Sequence, residues 1–372
     1  GVPGVVNNSA VEGYLPPRAS RRSGTKAPPS TPRVGLHQPP PQLDARHSLV
    51  LDRGRVVHCS TRDMLQPNGL GELATEWPHQ WFEQWRSQHP GEPARLVIYA
   101  HGGLNDEKEG LQRARSMARP FLDNGCYPLF IVWKTGLLES LSAMAANALS
   151  GDRSERAGNY LSDHVTDPLL ERLLHAPGRA VWRQIKHAAQ EANTPDGGLT
   201  QLANSLQTLL ALEPTLQVHL IGHSAGSLVL GPLVGALQKR RIPLGSAHLY
   251  APACTVDFAN QHWLPHLGRQ QADKNTFPLH VSILSDTMER LDNVALGGVL
   301  GYQKSLLYLV ARAFEEDTPS PLLGMQGAWD RSKLFGEWNN AAETLQSLRD
   351  FERAAAELGP AGALVLDPPV NE

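Results

Sequence analysis

The stretch Gly222-His223-Ser224-Ala225-Gly226 has the residue types and spacing of a nucleophilic turn. Before it, Leu216-Gln217-Val218-His219-Leu220-Ile221 is short, apolar and partly β-branched, the pattern of a buried strand. After it, Ser227 to Leu237 is apolar enough to form a helix packed on a sheet. A serine at the apex of a sharp strand-to-helix turn projects its hydroxyl clear of the backbone. Gly222 and Gly226 stand where side chains would collide with the neighbouring strand and helix. A bare G-x-S-x-G arises by chance in roughly one chain of this length in ten. The flanking strand and helix are what give this one its meaning.

Attack by such a serine on an acyl carbonyl creates an oxyanion, which needs preorganised backbone N–H donors. Ala225, the residue after the serine, is expected to supply one. A second strand, Arg95 to Ala100, runs straight into His101-Gly102-Gly103-Leu104-Asn105. There Gly102 lets the main chain approach the substrate, and Gly103 or Leu104 is expected to supply the other donor. His-Gly-Gly alone is an ordinary turn. Placed about 120 residues before the elbow, it completes an acyl-transfer apparatus.

These motifs need a scaffold, and the chain contains its parts. Ser48 to Leu51 and Arg55 to His58 read as a hairpin turning at Asp52 to Gly54. Trp77, Trp81 and Trp85 recur every fourth residue, a helix whose aromatic stripe packs on the sheet. An amphipathic helix follows from Asp106 to Asp123, then a buried strand from Tyr127 to Trp133. About 80 residues separate that strand from the elbow strand, far more than a crossover needs. Leu199 to Leu210 has helical period and serves as the crossover. The surplus, about 137–193, holds an apolar stretch and two helices, one through Leu169 and Leu174 and one through Val181 and Ile185. It is expected to be a helical lid over the strand ends where the serine is exposed, with an extra packing layer as the alternative. Two further strands are expected at Ser246 to Ala251 and Leu279 to Leu284. Helices at Gln303 to Glu315 and Asn340 to Leu358 and a last strand at Ala363 to Leu366 complete the set.

With these motifs the chain resembles the α/β-hydrolase superfamily, and within it the lipases and carboxylesterases with a His-Gly oxyanion motif. The resemblance covers roughly Ser48 to the C-terminus. It implies an α/β-hydrolase fold, a mostly parallel sheet with helices on both faces and here a lid insertion. It also implies a triad in the chain order Ser, Asp or Glu, His. Ser224 is the nucleophile in that scheme, and Asp286, two residues past Leu284, the acid. Asp257 is the runner-up and Asp292 a third choice. The histidine should lie after the last strand, and the sequence has none after His280. His280 starts its own strand, His262 and His266 have the spacing of surface histidines, and His101 and His223 belong to the two turns. The base is therefore expected beyond Glu372, in a chain truncated at both ends. The activity implied is hydrolysis of small-molecule or lipid-like acyl esters through an acyl-enzyme. Thioesterases, acyltransferases and peptidases use the same apparatus. A non-catalytic hydrolase-fold scaffold is the alternative.

Bulk properties narrow the partners. The net charge of −3 gives no electrostatic footprint for nucleic acid. No apolar run approaches the roughly 20 residues that span a bilayer. Cys59, Cys126 and Cys254 have neither metal-ligand spacing nor a disulfide pattern, so no metal or cofactor is expected and a reducing, cytoplasmic compartment is the default. Residues 1–47, rich in Pro, Gly, Ser and Arg without apolar period, are expected to be a disordered tail. Arg18, Arg21, Arg22 and Lys26 there could meet an acidic protein partner.

Overall fold

A computed structural model describes residues 46–58, 65, 67–103, 107–133, 140, 143, 167–268, 276–292, 294–296, 300–316, 319–329, 342–359 and 364–367. In chain order the strands are β1 (Ser48–Asp52), β2 (Arg55–Val57), β3 (Arg95–Ala100), β4 (Cys126–Trp133) and β5 (Gln217–His223). They continue with β6 (Leu244–Tyr250), β7 (Leu279–Ser282), β8 (Val294–Leu296), β9 (Leu300–Tyr302) and β10 (Leu364–Asp367). The helices that position the site are α1 (Trp77–Gln88), α2 (Glu107–Asp123), α3 (Asp167–Ala192), α4 (Gly198–Leu212) and α5 (Gly226–Lys239). After them come α6 (Val256–His262), α7 (Asp286–Leu291), α8 (Leu306–Leu309), which runs into a wide π-type turn at Val310–Phe314, and α9 (Ala342–Leu358).

Eight strands form one sheet in the order β10-β7-β6-β5-β3-β4-β1-β2. Only β2 runs antiparallel within it, paired to β1 through Val50–Val57 and Leu51–Val56. β3 and β4 read as almost unbroken apolar runs because a parallel sheet is covered on both faces. One face carries the main core, where α1, α3, α4, α5, α6 and α9 all bury side chains. On the other, Ala114 and Ala118 of α2 pack on Tyr99 and Phe130. The fold is thus α/β, a mostly parallel sheet with helices on both faces.

Two expectations need correction. Arg46 and His47 belong to the body and not to the tail: the buried His47 ring bonds Pro128 O at 2.9 Å, and the Tyr127 hydroxyl donates to Arg46 O at 2.8 Å. Burial pulls the His47 pKa down to about 4. Residues 1–45 lie outside the described residues. The second concerns the insertion. Its latter part is the single helix α3, running through Pro177 where two helices were expected. Eight of its residues, among them Leu170, Leu174, Trp182 and Ile185, are buried. Over 167–192 the segment buries its apolar side in the main core. Apart from Ser140 and Ala143, positions 137–166 lie outside the described residues.

Candidate active site

Ser224 sits between β5 and α5 with φ of +51°, a left-handed conformation that costs a non-glycine residue about 1–2 kcal/mol. Its surroundings hold that strain in place. Its N–H donates to Tyr250 O at 2.9 Å. Its carbonyl accepts from Ser227 Oγ at 2.8 Å and from the Ala253 N–H at 3.0 Å. The turn is also as crowded as the sequence requires. A Cβ on Gly226 would lie 2.3 Å from Ala100 O, and one on Gly222 2.9 Å from Leu249 Cδ2.

The His101 loop abuts the serine. A Cβ on Gly102 would stand 2.9 Å from both Ser224 Cβ and His223 Nδ1. Buried His101 is what fixes this loop. Its Nε2 accepts the Trp133 N–H at 3.3 Å, which assigns the proton to Nδ1, and Nδ1 donates to Gly102 O at 2.8 Å. Burial lowers its pKa to about 4, so the ring is neutral and this tautomer is compatible with both bonds. In a trans peptide the carbonyl and the following N–H point opposite ways, so pinning the Gly102 carbonyl on His101 turns the Gly103 N–H away from that ring. Ala225 is fully buried at the N-terminal end of α5. Among the described residues its N–H has no acceptor, as expected of the first amides of a helix. Leu104 lies outside the described residues.

Asp286 opens α7 just beyond β7, two strands from β5 in the sheet order and so roughly 10 Å away by strand spacing. One carboxylate oxygen accepts from the Tyr308 hydroxyl and the other from Arg290 Nε at 2.9 Å. The Asp286 N–H donates to Gln326 Oε1 at 2.9 Å. Asp257 is differently occupied: it binds Ser347 Oγ at 3.0 Å and Gln261 Nε2 at 2.7 Å on an exposed flank against α9. Asp292 is exposed at the end of α7.

The histidines beyond the elbow lie apart from Ser224. His262 packs on Phe258 with ring centroids 4.4 Å apart and on Gly231. His266 approaches Gly235. At 1.5 Å per residue these positions on α5 are about 10 Å and 16 Å along the helix from the serine. His280 stacks on His248 in mid-sheet at 4.7 Å. Among the described residues no imidazole is hydrogen-bonded to the Ser224 hydroxyl. Cys254, fully buried beside this turn, has its thiol pushed up to about 12 by desolvation and is inert.

Sequence reasoning missed a clasp that closes this edge. Segment 322–326 is threaded between the loops that follow β6 and β7. Gly324 N–H donates to Pro252 O at 2.9 Å, Leu323 N–H to Cys254 O at 2.9 Å, and Leu284 N–H to Gly324 O at 3.1 Å. A Cβ on Gly324 would fall 2.5 Å from the Ala251 carbonyl carbon, so only glycine fits. The Gly324-Met325 pair gave no periodic signal that could have announced it. Tyr250, Leu284, Met288 and Leu291 add a set of exposed apolar side chains on the same edge of the sheet.

No protein-family model matches the chain, and no curated protein matches it. Among solved structures it is similar to LpqC, a poly(3-hydroxybutyrate) depolymerase from Bordetella parapertussis, with 16% identity and a TM-score of 0.29 over 74% of this chain and 75% of that one. No described helix is long and apolar enough to cross a membrane.

Proposed function

We propose that this chain is a serine hydrolase of the α/β-hydrolase type, acting on carboxylic esters through an acyl-enzyme at Ser224. The observation that carries the reading is the strained backbone of Ser224, held by four hydrogen bonds to its N–H and carbonyl while its side chain stands against the His101 loop. A backbone held in a costly conformation at a serine between strand and helix is the mark of a pre-positioned nucleophile.

In this scheme Ser224 Oγ attacks the ester carbonyl carbon as a histidine takes its proton. The tetrahedral oxyanion is held by the N–H groups of Ala225 and Gly103, with Leu104 as a further donor. Collapse breaks the bond to the alcohol, which leaves with the proton returned by the imidazolium. Water, deprotonated by the same imidazole, then releases the acid and frees the serine. Asp286 orients the imidazole and stabilises its charged form. The exposed apolar side chains at Tyr250, Leu284, Met288 and Leu291 favour an ester with an apolar acyl group, small or lipid-like.

The alternative is a non-catalytic scaffold of the same fold, favoured by the want of an imidazole at Ser224 among the described residues. Fluorophosphonate labelling and p-nitrophenyl butyrate turnover separate the two. The hydrolase reading expects labelling at Ser224 and a fall in turnover of about 10⁶ in Ser224→Ala. Absence of labelling, or labelling of another serine, supports the scaffold instead.

A further inference from the structure

Among the described residues, the carboxylate of Asp286 is gripped by side chains that the proposed mechanism does not use. The Tyr308 hydroxyl donates to one oxygen and Arg290 Nε to the other at 2.9 Å, while the Arg290 guanidinium lies over the Tyr308 ring, 5.1 Å from its centroid. Tyr308 is itself held from below. Its N–H donates at 3.3 Å to Ser305 Oγ, which caps α8. Ser305 Oγ in turn donates to Glu289 Oε1 at 3.2 Å, and the Ser305 N–H donates to Glu289 O at 2.7 Å. Glu289 stands on α7, three residues after Asp286. The chain of contacts therefore leaves Asp286 through Tyr308 and returns to the same helix through Ser305 and Glu289.

From this closed circuit we infer that Tyr308 is a positioning residue for Asp286, fixing the rotamer in which the carboxylate meets the imidazole. The inference rests on Asp286 being the acid of the proposed hydrolase. Three physical points carry it. The phenol can serve the carboxylate only as a donor, and burial together with the hydrogen bond to Asp286 pushes its pKa well above the ordinary phenol value. Among the described residues Tyr308 and Arg290 each take one carboxylate oxygen, and a carboxylate offers about four acceptor sites in all. Both anchors come from fixed elements, since the Tyr308 side chain is nearly fully buried and α7 is capped by Ser285 Oγ, which accepts the Met288 N–H at 3.2 Å. A salt bridge to Arg290 alone would leave the carboxyl plane free to swing with a long, partly exposed side chain. The second contact, from a rigid ring, removes that freedom.

The test compares Tyr308→Phe with the parent in the full chain, alone and combined with Asp286→Asn. Readouts are kcat and KM for p-nitrophenyl butyrate and the melting temperature. Loss of a donor that only orients the acid should lower kcat about 10- to 100-fold, the cost of a misplacement on the scale of an ångström, with KM changed less than about 2-fold. In the Asp286→Asn background the same substitution should change kcat less than about 2-fold, because there is no carboxylate left to orient. An unchanged kcat, or an equal loss in both backgrounds, overturns the inference. If Tyr308→Phe does not fold, Ser305→Ala loosens the same ring through the α8 cap and is read by the same criteria. Turnover that persists in Ser224→Ala, or that Asp286→Asn leaves intact, overturns the functional reading itself and removes the reaction Tyr308 would serve. Intact Ser224 and Asp286 dependence with a silent Tyr308→Phe sinks only the positioning role.

Discussion

Asp286 and Asp257 both follow parallel strands of the same sheet, yet their neighbours give them different work. Asp257 lies in the first turn of a short helix capped by Thr255 and is tied to Ser347 on the flank, whereas Asp286 is held in a part-buried cluster with Tyr308 and Arg290. Replacing Asp286 by Asn should therefore reduce kcat by about 10⁴, as expected when the base loses its orienting carboxylate. Asp257→Asn should leave kcat within about 2-fold and act through the α6–α9 contact, if at all; a reversal of the two outcomes in steady-state assays would move the acid one strand earlier. At this scale the elbow and the His-Gly-Gly turn were legible, because glycines forced by close approach leave a trace in sequence. The anchors of Asp286 were not. Tyr308 and Gln326 lie 22 and 40 residues downstream, and nothing in their local pattern marks a partner. What His101 does was legible only in part: its neighbourhood to the Gly102-Gly103 turn is sequential, but its tautomer depends on the Trp133 amide across the sheet.

Among the elements, α3 has the most to say about stability. It runs alongside residues 302–316 and is bound to them along its length, by Asp167 to Lys304 at 2.6 Å, Glu171 to Arg312 at 2.8 Å and Lys186 to Glu315 at 2.9 Å. Trp182 Nε1 donates to Glu315 in the buried middle of the contact. The closest approach is at Gly178, where a Cβ would lie 2.1 Å from Phe314 Cε1. Gly178→Ala should then destabilise the protein by about 1–3 kcal/mol through overpacking, read as a shift in the urea midpoint. Adding Phe314→Leu should recover part of the loss, and an additive double variant would show that the ring is not the obstacle. The elements were legible where apolar runs or a 3.6-residue period are long, as in β3, β4, α2 and α4. Where two helices were expected, α3 runs on through Pro177 although a proline inside a helix is ordinarily a break; packing on both sides overrides it. The three-residue strands β8 and β9 and the wide turn after α8 are too short to carry a period at all.

For the molecule as a whole, the buried carboxyl of Glu289 sets a pH dependence. Desolvation raises its pKa from 4.5 to about 8, with Ser305 and Arg290 opposing and Asp286 and Asp292 adding to the rise. A group whose folded value lies above its unfolded one favours the folded state while protonated. Its contribution is complete below about pH 4.5 and disappears as pH rises through 8. Between those limits the parent should lose melting temperature faster than Glu289→Gln, whose amide does not titrate; parallel curves from pH 5 to 9 would mean that Glu289 is hydrated and ordinary. The clasp at 322–326 has a consequence in time. The carbonyl of Ser224 is held by the loop after β6, and that loop by Gly324, one hundred residues further along the chain. At about 5–20 residues per second a ribosome needs roughly 5–20 s to travel that distance. For most of that interval Tyr250, Ser227 and Ala253 are already made and can bond the serine backbone, but the loop that carries Ala253 is not yet clasped. The newborn protein thus holds the left-handed turn at Ser224 by its nearer bonds alone, and locks it only once the downstream loop has been delivered.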